Sequence, residues 1–80
     1  MLDTNKAIWD VIEVGEWLDA KFYDRECGEV FFVELKKEEG EEMEDFIYKC
    51  QEVADENFNH AGFVELVDGE TAEILGYDTY

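Results

Sequence analysis

The residue types that most enzymes use for catalysis are scarce in this 80-residue chain. It has one histidine, His60, no serine, and two cysteines, Cys27 and Cys50, which are 23 positions apart. A Ser-His or Cys-His pair activates a nucleophile through a hydrogen bond between neighbouring side chains, and the chain offers little from which to build one. Carboxylates are so numerous that no single pair indicates acid–base catalysis. We therefore expect no enzymatic activity and no cofactor, and we interpret His60 as an ordinary loop residue.

Carboxylates also suit hard cations, and one segment partly matches a calcium-binding loop. Asp55, Asn57 and Asn59 stand at positions 1, 3 and 5 of such a loop. Position 6, where glycine is needed, is His60, and position 12, where a bidentate glutamate belongs, is Leu66. The match fails at both discriminating positions, so we expect no specific metal site and only weak condensation of calcium or magnesium on an acidic surface.

The charge balance is the most informative feature of the composition. Twenty-three acidic residues against six basic ones give a formal net charge of −17. A compact domain of this length is about 30 Å across, and duplex DNA of that length carries on the order of 18 phosphate charges. The chain therefore carries about the negative charge of a piece of duplex as long as itself, which raises the hypothesis that it imitates one.

The remaining composition favours a folded protein inside a cell. The chain is 46% hydrophobic and 15% aromatic and has no proline, whereas disordered acidic segments are poor in aromatic residues. We expect one domain, residues 1–80, destabilised by self-repulsion and stabilised by added salt. The apolar runs are too short to span a membrane, and no charged-then-apolar leader precedes the cysteines. We expect reduced thiols rather than a disulfide, and a cytoplasmic location.

Hydrophobic periodicity predicts the first elements. A helix opens after Asp3 or Thr4 and ends near Val14, before Gly15, although a single longer helix that continues to Phe22 is an alternative. From residue 16 the period changes to two, and the alternation is repeated after a glycine-containing loop at 24–28, which predicts a β-hairpin. Residues 30–33 are apolar on both faces, so we expect an inner strand, or one partly covered by a helix, at the centre of the core.

The second half of the chain contains the clearest helical pattern. Its apolar stripe runs from Met43 to Ala54, with Asn57 at the next position of the stripe. A strand follows at 63–67. Residues 71–75 are either a returning strand or a helical turn stopped by Gly76, and we expect the strand. These elements predict an α+β fold in the order α-β-β-α-β-β, with two helices on one face of an antiparallel sheet.

Nine acids lie between positions 38 and 56, where Lys49 is the only base. On a helix, residues three or four apart have Cβ atoms about 5–6 Å apart, while two phosphate steps of one DNA strand advance nearly 7 Å along the axis. Carboxylates here could track phosphate positions and engage lysines and arginines of a nucleic-acid groove. The predicted partner-binding residues, with one tyrosine expected among the acids, are Glu38, Glu39, Glu41, Glu42, Glu44, Asp45, Tyr48, Glu52, Asp55 and Glu56.

In length, charge, acidic stretch 38–45 and compact α+β pattern, the chain resembles the small acidic phage or mobile-element proteins that imitate DNA, the anti-CRISPR and anti-restriction inhibitors. The resemblance is one of character across the chain, without a diagnostic motif. It implies an inhibitor that occupies the positively charged channel or motif-reading site of an RNA-guided nuclease or a restriction enzyme in the bacterial host. The partner would be a basic nucleic-acid-binding protein, with no direct contact to nucleic acid or membrane.

Three other interpretations of the charge are open. The chain could be an acidic interaction module that binds a basic host or phage protein without imitating DNA. The acidic helix could be an ordinary solvated face, or the composition could reflect adaptation to high salt, although glutamate outnumbers aspartate 15 to 8 and large aromatics are frequent. Six of these aromatic side chains cannot all fit in one small core, so some are expected at an interface. They are Trp9, Trp17, Tyr23, Tyr48, Tyr77 and Tyr80.

Overall fold

Three helices and a three-stranded antiparallel sheet make up the computed structural model, which describes residues 4–80. The elements are α1 (Thr4–Val11), β1 (Trp17–Asp24), β2 (Val30–Lys36), α2 (Met43–Asn57), β3 (Ala61–Asp68) and α3 (Gly69–Leu75). The predicted α+β class is confirmed. Asp3, predicted as a possible cap of the first helix, lies outside the described residues. The molecule measures 33 × 27 × 24 Å, so it has the expected diameter.

The hairpin forms as its alternating pattern predicts. Phe22 of β1 lies opposite Phe31 of β2, and Ala20 opposite Val33, so the apolar residues of both strands share one face. Gly28, at φ 72°, closes the loop in the left-handed region that other residues avoid. The sheet order is β2-β1-β3, which puts β1 in the centre.

Strand β2 is an outer strand of the sheet, but its free edge is covered. Phe32 donates its N–H to the Asp78 carbonyl and accepts from the N–H of Tyr80, and Glu34 donates to the Tyr80 carbonyl. The C-terminal segment therefore runs parallel to β2 and satisfies backbone groups that an open edge would expose. Phe31 and Val33 are buried in the main core and Phe32 on the opposite face with Val67 and Ala72, so the run 30–33 is covered on both faces as predicted, although β2 is not the inner strand of the sheet.

The main core lies between one sheet face and helices α1 and α2. It joins Trp9 of α1 and the α2 stripe Phe46, Cys50 and Ala54 to the apolar face of the hairpin. The predicted packing of two helices on one face is therefore confirmed. Helix α1 ends at Val11 rather than near Val14, and the Lys37 ammonium caps this end by donating to the carbonyls of Trp9 and Ile12, each at 2.8 Å.

For the last element the preferred strand is wrong, and the alternative, a helical turn stopped by Gly76, is the one that forms. Residues 69–75 form helix α3 and not a returning strand, so the order is α-β-β-α-β-α. The Asp68 side chain accepts from the N–H of Thr71 at 2.8 Å and caps the helix, and Gly76, at φ 68°, ends it. Helix α3 covers the other sheet face, where Ala72 packs in a small cluster with Phe32 and Val67.

Candidate functional site

Helix α2 presents one continuous acidic face to solvent. Because Phe46, Cys50 and Ala54 turn inward, the residues on the opposite side of the helix are exposed. At 100° per residue these exposed positions fall within an arc of about 120°. We call this surface the α2 acidic face, and it consists of Glu44, Asp45, Tyr48, Glu52, Asp55 and Glu56.

The dimensions of this face are comparable to those of one DNA strand. From Glu44 to Glu56 the helix rises by about 18 Å at 1.5 Å per residue. One strand of duplex DNA advances 3.4 Å per phosphate along its axis, so about 18 Å holds roughly five phosphates. The face carries five carboxylates over the same length.

Tyr48 stands in the middle of this face. Its side chain is 67% exposed, one helical turn after Glu44 and one turn before Glu52. A large ring in that position gains nothing from the core, whereas tyrosine is a favoured anchor at protein interfaces. The other predicted interface aromatics are divided: Trp9 is buried, while Trp17, Tyr23, Tyr77 and Tyr80 are 42–52% exposed.

The end of α2 is held in place despite an unfavourable charge. Asp55 and Glu56 lie in the last turn, where the helix dipole disfavours acids and no base compensates. The Gln51 amide donates to Asp55 Oδ1 at 2.9 Å and to the Ala61 carbonyl at 3.0 Å, which fixes this turn against the start of β3. The charge opposes helix stability by a few tenths of a kcal/mol, so it is retained at a cost.

The acidic loop before α2 is divided between solvent and interior. Glu38, Glu39 and Glu42 are exposed. Glu41 differs, because its side chain is only 7% exposed, pairs with Lys49, and accepts from the N–H of Glu38. The hydrogen bonds that the Lys49 ammonium donates to Glu41, and then to Glu38, raise the pKa of Lys49. Of the predicted binding residues, Glu41 is thus turned inward and orders the loop, while the others lie on the surface.

Most of the bases have partners within the protein. Lys6 pairs with Asp10 at 3.1 Å, Lys21 lies 4.0 Å from Glu65, and Lys37 caps α1 while its ammonium lies 4.3 Å from the centre of the Trp9 ring. Lys49 is the one base on α2, and it pairs with the preceding loop. The α2 acidic face therefore contains no base to neutralise it.

The residues considered for catalysis and metal binding do not come together as a site. His60 is exposed and lies 3.6 Å from Glu26. Asn57 donates to the Val53 carbonyl, and Asp55 is held by Gln51, so the calcium-loop positions do not converge. Within residues 4–80, no three His, Cys, Asp or Glu side chains are grouped in a way that could hold a metal ion. Both thiols are free, and burial raises the pKa of Cys50 to about 12.

Sequence reasoning missed a second acidic feature, on the sheet face beneath α3. Asp19 is fully buried, directly opposite Glu34 on the neighbouring strand, and neither of its carboxylate oxygens has a hydrogen-bond partner. Burial first, and then the nearby negative charges of Glu34 and Asp68, raise the pKa of Asp19 to about 7. Strand alternation alone placed this residue on the face opposite the main core, and only the unexpected helix α3 encloses it.

No family model matches the chain, and neither the curated proteins nor the solved structures yield a match. Among the helices of residues 4–80, none has the length and apolar character required to cross a membrane.

Proposed function

We propose that the protein is a DNA-mimicking inhibitor of a bacterial defence nuclease, and more specifically an anti-CRISPR protein rather than an anti-restriction one. It acts in the cytoplasm of the bacterial host, where it binds the positively charged nucleic-acid site of the nuclease and excludes target DNA. It performs no catalysis of its own and needs no cofactor.

The observation that carries this proposal is the α2 acidic face. Five carboxylates lie along about 18 Å of a rigid helix, which is the charge and length of roughly five phosphates of one strand. The loop before the helix adds three further exposed acids, Glu38, Glu39 and Glu42. A groove built to neutralise a DNA strand would find a comparable number of charges over the same length, grouped toward the two ends of the helix, with Asp45 and Glu52 about 10 Å apart along the axis.

Binding would follow the energetics of protein–DNA association. Lysines and arginines of the groove form charge-assisted hydrogen bonds with the carboxylates, and both surfaces release condensed counterions. The whole-chain charge of −17 accelerates the encounter at low salt. Tyr48 adds an apolar and hydrogen-bonding contact that a phosphate backbone lacks, which would favour one groove over others.

The test uses two variants with the same net charge. The first neutralises the α2 acidic face with Glu44→Gln, Asp45→Asn, Glu52→Gln, Asp55→Asn and Glu56→Gln. The control neutralises five exposed acids elsewhere, with Glu13→Gln, Glu16→Gln, Glu29→Gln, Glu70→Gln and Asp78→Asn. Both changes remove five charges, keep the shape of the side chains and replace one acceptor oxygen of each carboxylate with an NH2 donor, so a difference between them reports the position of the charge.

Each protein is immobilised, exposed to lysate of bacteria with active defence systems, and washed at constant salt with duplex DNA of about 30 base pairs. We expect the wild type and the control to retain a nuclease or its RNA-guided complex, the DNA to release it, and the α2 variant to retain little. Retention of a protein that duplex DNA does not displace would instead support an acidic interaction module without mimicry. Equal loss in both variants would mean that only bulk charge matters.

A further inference from the structure

A cavity of about 330 Å³ lies between α3, the C-terminal segment and the second face of the sheet. Its size is at the lower end of small-ligand sites in proteins. Carboxylates, hydroxyls and one aromatic ring form its walls, and its lining residues are Asp19, Glu34, Gly69, Ala72, Glu73, Gly76, Tyr77 and Thr79.

Within the described part of the chain, the carboxylate of Asp19 in this cavity has neither a hydrogen-bond donor nor a positive charge beside it. Both of its oxygens are buried without a donor, and its cross-strand neighbour is another acid, Glu34. Directly opposed residues in an antiparallel pair have Cβ atoms about 4.5–5.5 Å apart, where like charges repel. A buried carboxylate is normally hydrogen-bonded or paired, so this arrangement lacks either a proton or a cation.

The lining indicates which cation would fit. Among residues 4–80 no group of three potential ligands could hold a metal ion, which argues against a divalent ion. The walls instead combine carboxylate acceptors with the ring of Tyr77, which lies 5.6 Å from the Phe32 ring. A guanidinium donates several hydrogen bonds from one plane and also stacks on aromatic rings, and an ammonium donates three.

We propose that this cavity is a binding site for a guanidinium or alkylammonium group, held by the Asp19 and Glu34 carboxylates against the Tyr77 ring. The shared chemistry belongs equally to a free amine and to an arginine or lysine side chain of a partner. The site lies on the sheet face opposite α2, so the proposal does not depend on the proposed inhibition of a nuclease.

Access requires only a limited rearrangement. Glu73 and Tyr77 are exposed lining residues. Helix α3 is seven residues long, and Ala72 is its one buried side chain, packed in a cluster of three residues. Elements with few buried contacts open at low cost, so a shift of α3 or of these two side chains can expose the Asp19 oxygens to a ligand.

The charge state of Asp19 gives the site a pH signature. The groups that face it are Glu34 on β2, Asp68 at the end of β3, and Glu73 and Tyr77 in the lining. Because the pKa of Asp19 is raised to about 7, the carboxylate is mostly protonated at pH 6 and mostly ionised at pH 8. The ionised fraction rises about tenfold between these values, and cation affinity should rise with it.

The experiment titrates the 15N-labelled protein with methylguanidinium chloride, with sodium chloride at equal ionic strength as the reference, and follows amide shifts by NMR. We expect saturable shifts concentrated around the cavity, with affinity about tenfold higher at pH 8 than at pH 6. Asp19→Asn should abolish the saturable component. This variant should remain folded, because it removes a buried charge and keeps the side-chain shape.

The matched control is Glu70→Gln, which removes an exposed acid of α3 that does not line the cavity. Its affinity should stay within about twofold of the wild type, since solvent and salt screen an exposed charge outside the lining. Shifts that spread over the acidic surface without saturating would overturn the proposal. So would an Asp19→Asn protein that binds as the wild type does, or an affinity that does not change with pH.

Discussion

Replacing Asp19 with asparagine should stabilise the protein at alkaline pH. In the folded chain the pKa of Asp19 is raised from 3.8 to about 7, so the native state binds a proton that the unfolded state has released. The stabilisation from this group is fully present below the pKa that Asp19 has in the unfolded state. It is lost as the pH rises through the pKa that Asp19 has in the folded state. Asparagine cannot ionise, so the variant does not lose stability in this window.

The magnitude follows from the size of the shift. A shift of about three pKa units at roughly 1.4 kcal/mol each gives an upper value of about 4 kcal/mol lost between pH 4 and pH 8. A domain of this length has a total stability of roughly 4–12 kcal/mol, so the effect is large. The observed loss will be smaller if α3 lifts and lets water reach the carboxylate, because hydration removes part of the penalty.

Urea unfolding of both proteins at pH 5 and pH 8, at constant ionic strength, measures the effect. At pH 8 we expect the Asp19→Asn variant to have a higher free energy of unfolding than the wild type. At pH 5 this advantage should be smaller by about 1 to 2 kcal/mol or more. Glu70→Gln should keep the pH dependence of the wild type. A variant that is less stable than the wild type by the same amount at both pH values would refute the reasoning, because Asp19 would then be stabilising the fold in its charged form.

Three further predictions concern the charges that shape the fold. The urea midpoint of the wild type should rise with added salt, because screening relieves repulsion among exposed carboxylates; a flat or falling midpoint would count against this. Glu41→Gln should lower the free energy of unfolding by about 2 kcal/mol, since it breaks the enclosed pair with Lys49, whereas the exposed Glu44→Gln should change it by less than about 0.5 kcal/mol. Lys37→Met should cost about 2 kcal/mol through the lost cap of α1, and the exposed Lys36→Met clearly less, both measured by urea unfolding; equal costs would mean that the cap contributes nothing.

The elements with strong periodicity could be predicted from the sequence. The α2 stripe gives its helix bounds directly, and the alternation around Ala20 and Val33 gives the hairpin and its register. For residues 71–75 the strand was preferred to the helical alternative because Asp68-Gly69 is a turn signal that is also compatible with a helix cap. In the structure the Asp68 side chain accepts from Thr71, which selects the helix.

The parts of the site that depend on long-range contacts could not be predicted. The exposure of Glu44, Asp45 and Glu52 follows from the helical period alone. Glu41 was expected on the same surface. In the structure it is turned inward, where it pairs with Lys49 of α2. The burial of Asp19 depends on α3, so an error in one element concealed a buried acid in another.

The most direct test of the central claim is a competition measurement with the captured nuclease. The apparent Kd of the protein for this nuclease is measured at increasing concentrations of duplex target DNA and constant salt. Mimicry predicts a rise in proportion to the DNA, to about elevenfold when the DNA is at ten times its own Kd. An apparent Kd that stays constant across the titration would contradict the claim that the protein occupies the DNA site.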